Sequence, residues 1–162
     1  MWDPRFEYVR SRPALLRGYH RAFCVYSTQY RGTPEHPGLV LGLDRGGACK
    51  GIAFLVAAAQ VGAVTRSLWE REMSRLVYLP RLVPIEIDSQ RATALAFLAD
   101  PRHEAYAGRL DPDHVAQRIA TCSGAGGANI EYLENTLRHL DELGLREGRL
   151  HALLRAARAK RL

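Results

Sequence analysis

Hydrophobic spacing changes character partway along this chain, and that change limits the folds open to it. Over residues 17–28 (RGYHRAFCVYST) aromatic and β-branched residues interleave with polar ones, the pattern of a long half-buried strand. Gly32-Thr33-Pro34-Glu35-His36-Pro37-Gly38 reads as a turn, punctuated by glycine and proline at both ends. Residues 39–43 and 49–56 are predicted as two short apolar strands, with Gly46-Gly47 supplying a hairpin connection between them. From residue 57 to 73 the period becomes helical, with Val61, Val64, Leu68 and Trp69 recurring among alanines. Residues 83–88 and 92–98 return to strand patterns, and the rest is predicted helical over 112–121, 129–143 and 146–160. Asp111 or Asp113 suits the cap of the first of these helices, with Pro112 tolerated in its opening turn. Strands first and helices late is the order of an α+β fold rather than of repeated βαβ units.

The chain's 162 residues suffice for one domain with a real core. No apolar run approaches the ~20 residues needed to cross a bilayer, which argues against a membrane protein. Met1-Trp2-Asp3-Pro4-Arg5 has no apolar stretch after its charges, unlike a secretory signal. Cys24, Cys49 and Cys122 are scattered and odd in number, matching neither a disulfide framework nor a zinc motif. A reduced, cytoplasmic protein is the expectation. The net charge of +6 gathers in a basic C-terminal helix over residues 146–162. Such a helix is expected to be a solvated face rather than a nucleic-acid reader, and a positive field also favours encounter with small anions.

Four places can carry chemistry. Glu70 and Glu72 in Leu68-Trp69-Glu70-Arg71-Glu72-Met73 point to different faces of a helix and cannot be a carboxylate pair; taken alone they read as a charged helix end. Ser27-Thr28-Gln29-Tyr30-Arg31-Gly32 closes a strand with two hydroxyls and an arginine, a set that can hold a carboxylate or simply form a turn. Ser123-Gly124-Ala125-Gly126-Gly127-Ala128-Asn129 is a glycine-rich entry to a helix whose backbone N–H groups could bind an anion, although it lacks the P-loop lysine and spacing. The six histidines have no metal-ligand spacing, so no metal is expected.

Several of these blocks together resemble one family. Gly18-Tyr19-His20-Arg21-Ala22-Phe23, then Ser27-Thr28 and Arg31-Gly32-Thr33-Pro34-Glu35-His36-Pro37-Gly38, are similar to the G-Y-x-R-x-F strand and S-T-D-H-R-G-x-P-x-x-P-G loop of ChaC-type γ-glutamylcyclotransferases. Gly51-Ile52-Ala53-Phe54 resembles the family's G-V-A-Y, Leu68 to Met73 its Y-L-D-x-R-E, and GAGGANIEYL over residues 124–133 its G-x-S-G-x-N-x-E-Y-L. The blocks stand in the family's order along nearly the whole chain.

The resemblance implies a small mixed β-barrel with flanking helices and a helical C-terminus, as a single domain. It implies release of 5-oxoproline and cysteinylglycine from glutathione, or cyclisation of another γ-glutamyl compound, with no cofactor and no metal. The family's catalytic glutamate matches Glu72, while Glu70 falls at a variable position. Ser27, Thr28, Arg31, Gly32 and Tyr132 are the implied substrate-binding residues. No nucleic acid is implied as a partner. The competing reading is a non-catalytic γ-glutamyl-binding or regulatory domain that has lost its substrate loop.

Two departures stand out. Gln29-Tyr30 replaces the family's Asp-His, so contacts made there do not carry over. Family members also begin with an apolar strand ending in G-Y-G-S-L just ahead of a tryptophan, whereas Met1 directly precedes Trp2 here. A start assigned at an internal methionine is the favoured explanation. On that reading the domain is N-terminally incomplete, and residues 1–162 alone are expected to be poorly soluble or inactive.

Overall fold

The alternation around residues 17–28 belongs to a longer element in the computed structural model, which describes residues 4–73 and 76–161. Strand β1 runs over Arg10–Ser27 and β2 over Gly38–Leu55. The hairpin expected at Gly46-Gly47 does not form. Both glycines have left-handed backbones (φ +98° and +68°), yet the chain continues straight through them as one strand. The reason lies alongside in β1: His20 Nδ1 is 3.0 Å from the Gly46 carbonyl oxygen and Arg21 donates to the Lys50 carbonyl at 2.7 Å. A long neighbour thus takes up both halves of β2, and the two glycines absorb a local distortion instead of a reversal.

A short 3-10 turn, Ala58–Gln60, leads into helix α1, Val61–Glu72. Strands β3 (Tyr78–Ile87) and β4 (Gln90–Ala99) form an antiparallel hairpin whose register runs from Tyr78↔Ala99 to Ile87↔Gln90. Its two-residue turn is Asp88-Ser89, both with positive φ, the backbone that matches the strand twist. The four strands are ordered β2-β1-β3-β4, with β1 antiparallel to β3 through Leu15↔Glu86. Helices α2 (Pro112–Thr121), α3 (Asn129–Glu142) and α4 (Gly148–Ala159) follow, with the two-residue strands β5 (Ser123–Gly124) and β6 (Gly127–Ala128) before α3. The α+β class and the helical C-terminus expected from the sequence are both present.

By its internal contacts the chain divides into two units, Met1–Ala22 with Leu43–His103, and Phe23–Gly42 with Glu104–Leu162. In the first, Leu16, Cys49, Val83, Ile85 and Leu98 form the buried core, with Ala94 and Ala96 packed against it. In the second, α3 buries Ile130, Leu133, Thr136, Leu137 and Leu140, one stripe at helical spacing. Asp111, rather than Asp113, caps α2, accepting from the backbone of Asp113 and His114 at 2.9 and 3.3 Å. The three cysteines are buried and none is in a disulfide among the described residues. The missing strand read ahead of Trp2 falls on residues outside those described, as does Leu162 at the end of the expected basic helix.

Candidate active site

Glu72 is the last residue of α1, and the helix closes over it through the Met73 N–H to the Trp69 carbonyl at 2.8 Å. Glu70 is exposed, whereas the Glu72 side chain keeps only 21% of its surface. Burial therefore separates the two glutamates. Arg71 Nε donates to Glu72 Oε1 at 3.0 Å, and its Nη1 donates to the Pro4 carbonyl at 3.0 Å. The second carboxylate oxygen, Oε2, has no partner among the described residues. A half-buried carboxylate with one oxygen held and one open has the form of a general acid/base.

The other predicted residues belong to the second unit. Ser27, 4% exposed, accepts the Arg31 backbone N–H on its hydroxyl at 3.0 Å. Its role is to tie the turn that follows β1. Thr28 is exposed. Gly32 is buried beneath backbone: a Cβ there would lie 2.7 Å from the Pro37 carbonyl carbon, closer than side chains are ever found. Arg31 reaches the Ala128 carbonyl at 3.3 Å, and its guanidinium lies 5.4 Å from the centre of the Tyr132 ring. It makes no ion pair among the described residues, so it is a cation with room for an anion. The Tyr132 hydroxyl accepts from the Leu41 N–H at 3.4 Å, and its ring meets Phe23 edge-on at 5.9 Å. Ser27, Arg31, Gly32 and Tyr132 are thus brought into one cluster of loops with Thr28 at its surface, while Glu72 stands in the first unit.

Three of the N–H groups that suggested an anion site in the glycine-rich loop are already taken by backbone carbonyls. Ala125 and Gly126 donate their N–H groups to the Gln29 and Tyr30 carbonyls, each at 2.8 Å, and Asn129 donates its own to Cys122 at 2.9 Å. These donors are consumed in fastening the loop to the turn after β1. The glycines permit the approach: a Cβ on Gly124 would lie 2.6 Å from the Gly32 carbonyl oxygen.

Two residues went unassigned in the sequence reading. Asn129 is fully buried; its Oδ1 accepts the Leu39 N–H and its Nδ2 donates to the Leu39 carbonyl, both at 2.7 Å. A side-chain amide here does the work of a neighbouring strand. Arg71 is the partner of Glu72. Both lay in motif blocks quoted for the resemblance, and their place in those blocks was the available signal. Among the described residues no group of three or more His, Cys, Asp or Glu is placed to hold a metal ion, and no helix is long and apolar enough to cross a membrane.

Comparison with known proteins identifies relatives of this chain. The family described as ChaC-like protein matches residues 1–160. A glutathione-specific gamma-glutamylcyclotransferase of Escherichia coli is 36% identical over 155 residues, covering 95% of this chain and 67% of that protein. Glutathione-specific gamma-glutamylcyclotransferase 1 of Mus musculus is 36% identical over 138 residues, covering 82% of this chain and 62% of its own. The chain thus spans about two thirds of the length of these relatives. The crystal structure of a yeast γ-glutamylcyclotransferase specific to glutathione superposes with a TM-score of 0.82 at 21% identity, covering 98% of this chain and 94% of that one. At that identity the likeness shows a shared fold.

Proposed function

The chain belongs to the ChaC-like protein family, and on that premise we propose that the protein is a γ-glutamylcyclotransferase acting on glutathione, with Glu72 moving the proton. The substrate's own α-amine attacks its γ-carbonyl. A C–N bond forms within a five-membered ring and the γ-amide bond breaks, giving 5-oxoproline and cysteinylglycine. Because nucleophile and carbonyl share one molecule, orientation supplies much of the rate. On the way to the lactam N–H the α-ammonium loses two protons and the departing nitrogen gains two, becoming the ammonium of cysteinylglycine. Glu72 takes up and returns them one at a time, so the carboxylate ends as it began.

The observation that carries this reading is the Glu72 carboxylate, half-buried, held at Oε1 by Arg71 and with Oε2 open among the described residues. The same carboxylate favours an enzyme over a binding domain, which has no use for an open proton-transfer group. Arg31, with no acid paired to it among the described residues and stacked on Tyr132, is assigned to a substrate carboxylate. Thr28 is assigned a direct contact with substrate, while Ser27, Gly32 and Tyr132 shape the loop that carries Arg31. Both units act as one catalytic domain on this reading, consistent with a family match that runs over residues 1–160. Buried cysteines outside any disulfide fit a reducing cytoplasm. No nucleic-acid partner is assigned.

The test is release of 5-oxoproline by the full-length protein, with glutathione set against other γ-glutamyl compounds. Glu72→Gln is expected to lower turnover by about a thousandfold while leaving thermal unfolding unchanged. Undiminished turnover in that variant removes Glu72 from the chemistry. Preference for a different γ-glutamyl compound replaces glutathione as the substrate.

A further inference from the structure

We propose that Arg71 is the positioning residue of this site, fixing the carboxylate of Glu72 for proton transfer; the inference rests on the role given to Glu72 above. Adjacent side chains on a helix do not face each other, so a contact between residues 71 and 72 does not come with the helix. Arg71 nevertheless sets Nε 3.0 Å from Glu72 Oε1, and it does so while Nη1 is anchored 3.0 Å from the Pro4 carbonyl. The planar guanidinium is held at two points, one on the catalytic carboxylate and one on backbone outside the helix. A lysine could hold only one of them in a fixed geometry.

The anchor is itself secured. The segment that follows Pro4 lies against the end of β2, with the Phe6 and Tyr8 rings edge-on to Phe54 at 5.8 and 5.0 Å. The Val9 N–H closes the contact on the Leu55 carbonyl at 2.7 Å. A contiguous path therefore runs from β2 through residues 4–9 to Arg71 and on to Glu72. Along it, the orientation of the carboxylate is tied to the sheet as well as to the last turn of α1. Fixing Oε1 leaves Oε2 as the oxygen that exchanges the proton. Loss of this constraint should act on the chemical step and leave substrate binding largely alone, since Arg71 is given no contact with substrate.

The experiment uses the full-length protein with Arg71→Ala and Arg71→Lys, following 5-oxoproline release from glutathione. Arg71→Ala is expected to lose about a hundredfold in kcat with KM within about twofold. Guanidinium chloride at tens of millimolar should restore at least about a tenth of the lost kcat, and sodium chloride at equal ionic strength should not. Arg71→Lys should fall between the two, because it keeps charge without the fork. Unchanged kcat, a loss confined to KM, or a loss that guanidinium fails to relieve in a protein with an unaltered circular dichroism spectrum would each overturn the proposal. If Arg71→Ala does not fold, Arg71→Lys decides: full kcat overturns the proposal, and a reduced kcat at unchanged KM supports it. Failure of the Glu72 reading is separable, since it appears as retained turnover in Glu72→Gln with Arg71 intact.

Discussion

Two parts of the chain resemble the same family with comparable clarity, yet they use their polar groups in opposite ways. In the loops over residues 27–38 and 123–129, polar group after polar group is consumed internally: the Arg31 N–H donates to the Ser27 hydroxyl, the Ala125 and Gly126 N–H groups donate to the Gln29 and Tyr30 carbonyls, and the Asn129 amide pairs with both backbone groups of Leu39. At the end of α1 a carboxylate is held at one oxygen and, among the described residues, left open at the other. Motif residues of the first kind hold the frame on which Arg31 is carried. Those of the second kind retain the valence that chemistry requires. Buried polar groups must find partners, so an unpartnered oxygen on a half-buried side chain is the more informative of the two.

The comparison breaks most visibly at Gly124. A Cβ there would meet the Gln29 carbonyl oxygen at 2.5 Å and the Gly32 carbonyl oxygen and nitrogen at 2.6 and 2.7 Å, all of them backbone. Backbone cannot swing aside as a side-chain tip does. Gly124→Ala is therefore expected to cost about 4 kcal/mol, at the severe end for a point substitution, as read by urea unfolding. Gly62→Ala on α1, where a Cβ meets nothing within 4 Å, should stabilise by about 0.5–1 kcal/mol in the same assay. Equal effects at the two positions would mean that the loops are not locked as described.

Asn129 gives the next largest effect. Asn129→Leu fills the volume but strands the N–H and C=O of Leu39, itself fully buried. Two unsatisfied buried groups should cost about 2–4 kcal/mol, measured by the same unfolding curve. Native protein that remains should keep its KM for glutathione, because Asn129 is placed in the frame and not against substrate. A substitution that leaves stability intact but raises KM would move Asn129 from the frame to the binding site.

Sequence made some of this legible and physical context withheld the rest. Helices α2, α3 and α4 lie close to where their apolar stripes and caps put them, because amphipathic spacing and Asp111 are local signals. Strand β2 was read as two, because Gly46-Gly47 is as good a local turn as any, and only β1 alongside decides otherwise. The choice of Glu72 over Glu70 came from motif likeness alone, and it coincides with the burial difference between them. The glycine loop misled for a related reason: composition shows that N–H groups are uncluttered, not whether carbonyls from the turn after β1 have already taken them. Arg71 escaped because its second partner, the Pro4 carbonyl, is 67 residues away in sequence.

Asp100 offers the smallest test, a carboxylate held at one oxygen by its own turn. The backbone N–H of Arg102 holds it below the usual carboxylate range, most of all, and the Arg102 side chain and His103 add to this against the opposing effect of burial. Its Oδ1 accepts from Arg102 N at 3.0 Å and from Nε at 3.4 Å. A carboxyl whose folded pKa is depressed contributes stability above its unfolded value of about 3.9, and that contribution disappears as pH falls through the folded value. Asp100→Asn should therefore destabilise slightly at neutral pH, and the difference from wild type should shrink once pH drops below about 4. The kcat of the full-length protein should not respond, since Asp100 is assigned no contact with substrate. A stability difference that holds constant from neutral pH to pH 3 would show that the turn depends on the shape of the side chain and not on its charge.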